Sequence, residues 1–245
     1  MNKVAIGISS ALLLVIVVGI FFRRYAIACE FSHMLDFREI NNQFYIGSDI
    51  PPERIEDLSQ IVSSALKRID GVYGRPESTP KILFTSDSAT ANIFGANETA
   101  TMHRTPWRSC IIVGPKGQNV DVIAHEWLHA EIQQRVGFWR FIQEVPVWFD
   151  EGVALTLDHR EPFLPETIDL SKERVEDVRN LVTGKDFFSG NIMEHYKAAR
   201  MAVIPLIQAD SFYQKLEQIS VGGSFDAVFL KANKSIQPIA NASAD

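Results

Sequence analysis

The sequence predicts an α+β domain, with a small N-terminal mixed sheet followed by a mainly helical C-terminal half. Short apolar segments bounded by turn formers all fall before residue 117, and long stretches with helical spacing of apolar residues follow. One feature stands outside this pattern, an uncharged run near the amino terminus that predicts a transmembrane helix. The 245 residues, 46% hydrophobic and 22% charged, suffice for one ordinary domain with a sizeable core. The net charge of −6, without any cluster of Lys and Arg, argues against nucleic acid as a partner.

Taken in order, residues 4–22 form 19 positions without a charge. At ~1.5 Å per helical residue they almost cross a ~30 Å hydrocarbon layer. Arg23 and Arg24 separate this run from "AIAC" (26–29), a weak cleavage-site pattern, so an uncleaved anchor is expected. Residues 1–28 are thus assigned to a membrane anchor and its flank, and 29–245 to the domain proper. Lys3 on one side and Arg23 and Arg24 on the other nearly balance under the positive-inside rule. Cys29 and Cys110 permit one bridge in an oxidising compartment or two free thiols. The expectation is a single-pass protein whose domain lies outside the cytoplasm.

Within 29–117, "NNQFYIGSD" (41–49), "KILFT" (81–85) and "SCIIVG" (109–114) have strand character. Between the first two, residues 51–74 keep Ile55, Leu58, Ile61, Val62, Ala65, Leu66 and Ile69 at helical spacing, with prolines before and glycines after. Residues 86–107 show no period and are expected to be an irregular loop. From 118 onward the pattern is helical, over 119–136 with Gly137 as the stop, 146–159 opened by Pro146, 171–182, 191–209, 211–219 and a short last helix at 222–232.

The chemistry concentrates in "HEWLH", residues 125–129. Four residues advance a helix by about 400°, so His125 and His129 project from one face a turn apart and can chelate one zinc ion. Glu126 lies about 100° around the helix, where it misses the metal but reaches a water held by it. Zinc lowers the pKa of such a water to about 7, so that carboxylate can act as general base. The bland alternative is a solvated helix face opposite Ile123, Trp127 and Leu128. A third ligand is sought in "WFDEG" (148–152), where Glu151 lies 22 residues beyond His129 and Asp150 is its rival; Gly152 would let the two helices approach closely.

"HEWLH" followed by "WFDEG" resembles the gluzincin metallopeptidases, in particular the peptidase-MA-like group, over roughly residues 80 to 232. The resemblance implies a zincin-like fold with an edge strand over the active-site helix, zinc held by His125, His129 and Glu151, and Glu126 as general base. It also implies that Asp150 orients a ligand histidine, that "SCIIV" is the edge strand along which an extended peptide adds, and that Tyr196, with His195 second, steadies the oxyanion. No exopeptidase amine-binding motif is present, so aminopeptidase activity is not implied. His33, His103 and His159 lack ligand spacing, and Cys110 is expected to be a packed thiol.

Two functions follow. One is a membrane-anchored, zinc-dependent endopeptidase acting on a peptide or protein substrate. The alternative is a non-catalytic zincin-fold module that binds or senses at the membrane; the retained Glu126 speaks against it, because a purely structural zinc site has no use for a base there.

Overall fold

The computed structural model describes residues 24–231. They build a five-stranded mixed sheet in the order β1-β2-β3-β5-β4, with helices packed mainly on one face. β1 (Phe37–Glu39) runs antiparallel to β2 (Phe44–Gly47); β2 and β3 (Lys81–Phe84) are parallel, as are β3 and β5 (Ser109–Val113); β4 (Ala100–Arg104) is antiparallel to β5. The helices, in chain order, are α1 (Arg54–Tyr73), α2 (Ser88–Ile93), α3 (Val120–Val136), α4 (Phe138–Glu144), α5 (Val147–Ala154), α6 (Lys172–Asp177), α7 (Gly184–Phe187), α8 (Ile192–Val203) and α9 (Phe212–Ser220). The last described segment, Asp226–Lys231, is π-helical.

Strand alternation sorts the core. Ile82, Phe84, Ile111 and Val113 meet Leu58 and Ile69 of α1 and Ile123 and Leu128 of α3 on the helical face. Leu83, Cys110 and Ile112 point the other way, against Phe37, Phe94 and Cys29. A strand buried on both faces reads as a continuous apolar run, and that is what "SCIIV" is. α1 buries a stripe of Leu58, Ala65, Ile69 and Tyr73 and ends at Gly74, whose φ of 93° few side chains tolerate. α3 is the central helix. Asn119 caps it by accepting from the Val122 N–H at 3.0 Å, Gly137 closes it at φ 84°, and both its faces are buried.

Several expectations need correction. No helix among the described residues is long and apolar enough to cross a membrane. α1, at 20 residues, has the length but carries Arg54, Glu56, Asp57, Lys67, Arg68 and Asp70, and α3 is shorter and also charged. The run at 4–22 lies outside the described residues. The described residues thus contain no transmembrane helix, and single-pass anchoring with an extracytoplasmic domain is withdrawn. The stretch 86–107 is not an irregular loop, since it contains α2, capped by Asp87 through the Ala89 and Thr90 N–H groups, and β4. Consequently "SCIIV" is an inner strand, and the strand at that margin of the sheet is β4, with β1 at the other. The helix expected over 191–209 stops at Val203, because Pro205 cannot continue it. β1 went unforeseen, being only three residues long.

Cys29 and Cys110 form a disulfide across 81 positions, with Cα atoms 6.5 Å apart. The bridge joins the helical residues 24–30 to the middle of the sheet. Lys81 reinforces the joint, its Nζ donating to the Cys29 carbonyl at 2.9 Å.

Candidate metal centre

α3 presents His125 and His129 on one side, and α5 packs across it with Glu151 aimed between them. The Nε2 atoms of the two histidines are 3.1 Å apart, and Oε2 of Glu151 lies 3.5 Å from each. Three ligands at ~2.0–2.1 Å from a tetrahedral ion stand about 3.3 Å from one another. The triangle therefore fits a zinc-sized ion without rearrangement, and two imidazoles with one carboxylate are the donor set that zinc takes. All three side chains are nearly buried, His125 and Glu151 at 9% exposure and His129 at 4%, which disposes of the solvated-face alternative.

Asp150 stands outside the triangle and is turned to the far side of His129. Its Oδ2 stands 2.9 Å from Nδ1 of His129, so Nε2 is left to face the triangle. The same carboxylate receives Arg104 Nη2 from β4. Arg104 in turn lies over the Phe141 ring, 4.5 Å from its centre. Arg104 carries no motif spacing and lies in the stretch expected to be a loop; the signal for its strand is the alternation in "ATMHR", with Ala100 and Met102 buried and the residues between them less so.

The charges respond to this enclosure. Burial pushes the Glu126 carboxyl up, partly offset by His125 and His129. Burial also raises Glu151, but the His129 charge and both histidine hydrogen bonds outweigh it and hold the carboxyl well below its usual range. For His129, burial favours the neutral ring, yet Asp150 and Glu151 overcome that and raise it well above 6.5.

A cleft of about 460 Å³ opens over the triangle. Glu126 lines it beside His125, His129 and Glu151; Thr101, Met102 and Arg104 of β4 form one wall, and Phe188, Ile192 and Tyr196 another. Tyr196 packs edge-on against Phe187 with ring centres 5.4 Å apart, and its hydroxyl is held protonated by burial and by the Glu151 and Glu126 carboxylates. His195 is absent from the cleft lining and spends Nδ1 on the Phe187 carbonyl at 2.7 Å. Gly152 does bring helices together, but the pair is α5 and α8 rather than α3 and α5. A Cβ there would meet Val203 Cγ1 at 2.7 Å and the Ala199 carbonyl carbon at 2.8 Å. This close approach sets the helix of Tyr196 against the helix of Glu151.

No family model, no curated protein and no solved structure matches this chain.

Proposed function

We propose that this chain is a zinc-dependent endopeptidase of gluzincin type. The observation supporting it most is the ligand triangle of 3.1, 3.5 and 3.5 Å with a fourth side open to a cleft that Glu126 lines. Catalytic zinc sites keep three protein ligands and one open position, whereas structural sites are closed by four. Bound there, zinc supplies a Lewis acid and a water acidic enough to be deprotonated near neutral pH.

The chain's own groups then divide the work. His125, His129 and Glu151 hold the ion, and Asp150 keeps His129 in the tautomer that presents Nε2. Glu126 accepts a proton from the water that attacks the scissile carbonyl carbon, and hands it to the nitrogen that leaves as the C–N bond breaks. Its raised affinity for protons suits that double duty. Tyr196, still protonated, donates a hydrogen bond toward the carbonyl oxygen as negative charge gathers there.

The test combines metal analysis with a peptide screen. Purified protein should carry about one zinc per chain. Glu126→Gln should keep that zinc while losing hydrolysis by about 10²–10⁴-fold. Equal cleavage of a peptide mixture by both forms removes Glu126 as the base. Stable zinc without turnover on any peptide points instead to a non-catalytic binding module.

A further inference from the structure

We infer that the apolar recess at the C-terminal end of β4 is a substrate subsite for an aromatic or large aliphatic side chain, carried by a peptide lying along that strand. This rests on the peptidase reading above and adds a substrate class to it. The recess, about 490 Å³, is walled by Ile27, Phe31, Pro106, Trp107, Phe138 and Trp139. Trp107 is 69% exposed and Trp139 is 70% exposed, although tryptophan is on average a well-buried residue. One exposed ring is ordinary. Two, brought from separate elements to line a single concavity, form a binding surface that no described residue covers.

The walls are held in place before anything binds. Trp107 Nε1 donates to Glu30 Oε1 at 3.1 Å, and Arg108 Nη2 pairs with Glu30 Oε2 at 3.3 Å. Glu30 belongs to the same helical residues that the Cys29–Cys110 bridge and Lys81 fasten to the sheet. A recess preformed in this way spends little binding free energy on ordering itself.

Continuity with the metal cleft identifies the occupant. Arg104 lines both cavities, on one side with His129 and Glu151 and on the other with Trp107 and Trp139. Among the described strands β4 pairs only with β5, so no described strand takes up the main-chain groups of its other edge, and an extended chain adds at such an edge. Met102 lines the cleft and Pro106 the recess. Four residues at ~3.4 Å each place them up to about 14 Å apart, roughly four residues of extended peptide. A substrate with its scissile bond in the cleft thus delivers a side chain a few residues away into the recess, and the ring-lined walls select an apolar one.

The experiment uses the full-length zinc form and quenched-fluorescence decapeptides in which one position, two to five residues on either side of a fixed cleavable bond, is Phe, Leu, Ser or Asp. At one such position kcat/KM for Phe and Leu should exceed that for Ser and Asp by about tenfold or more, as burial of a large apolar side chain provides. In Trp107→Ala/Trp139→Ala, both exposed and thus safe to truncate for folding, the ratio should fall below about threefold, chiefly through KM. Binding of the same peptides to Glu126→Gln, followed by titration calorimetry, examines the recess without turnover. A Phe peptide that binds about tenfold tighter than its Ser counterpart, with the difference lost in the double variant, sustains the subsite even if nothing is cut, and only the peptidase reading then fails. Equal handling of Phe and Ser at every position, or a preference unchanged in the double variant, overturns the subsite.

Discussion

Two glutamates on α3 stand five residues apart and live in opposite circumstances. Glu131 is fully buried and fully partnered, with the Glu77 N–H donating to both its oxygens at 3.0 and 2.9 Å, the Ser78 N–H at 2.7 Å and Arg135 Nε at 2.8 Å. Glu126 is half-buried at the mouth of the metal cleft and has no such cage. A buried carboxylate surrounded by donors is a structural rivet, since every lone pair already has an occupant. One that is desolvated yet uncaged is ready to take a proton from something else. Residue type does not separate the two; their surroundings do.

The contrast can be broken by exchange. The largest effect is expected at Glu126, whose replacement by Gln should lower turnover by about 10²–10⁴-fold and leave thermal unfolding in place, while Glu131→Ala should do the reverse. Removing Glu131 leaves the Glu77 and Ser78 N–H groups without their acceptor, although Arg135 keeps Glu77 and Glu217; the loss, about 1–3 kcal/mol for each stranded N–H, is one that chemical denaturation would register. If Glu131→Ala unfolds at the wild-type denaturant concentration, the rivet assignment is wrong.

Next comes the wall opposite the ligands. Tyr196→Phe should lower kcat by about 10²–10³-fold with zinc content unchanged, the usual effect of losing one donor to a developing oxyanion. A mere packing role would leave kcat intact and show itself in melting temperature instead. Asp150→Asn should weaken zinc by about 10–100-fold in a competition titration with a chelator, because His129 loses the anion beside Nδ1. Unchanged affinity would leave Asp150 as nothing more than Arg104's partner. Smaller again in its effect on catalysis, reduction of Cys29–Cys110 should cost about 2–4 kcal/mol of folding stability. It should also loosen the recess beside Trp107 while the metal triangle, built from α3 and α5, keeps its zinc.

Legibility in the sequence tracked range along the chain. His125, Glu126 and His129 were readable because a helix repeats every 3.6 residues, so spacing alone puts two imidazoles on one side and the carboxylate next to them. Glu151 was readable less securely: one helix and one reversal bring it near, but Asp150 was an equal neighbour until the fold showed it turned to Nδ1 of His129. β4 does not show in the sequence because this outermost strand pairs along one edge only among the described strands and is only partly buried, so its residues need not be uniformly apolar, and the Ala- and Thr-rich stretch around it carries no period. With β4 went Arg104, the open edge and the recess beyond it.

Local periodicity was thus enough to place His125 and His129 on one side with Glu126 beside them, the capped and glycine-stopped helix that bears them, and the strand-then-helix division of the chain. Sheet order, the pairing of Cys29 with Cys110, the approach of α8 to α5 at Gly152 and the divergent surroundings of Glu126 and Glu131 came only from the packed molecule. The reason is physical: a hydrogen-bonding helix constrains residues three and four positions apart, whereas contacts between residues 50 or 80 positions apart depend on which apolar faces find one another, and that choice is made by the whole core at once.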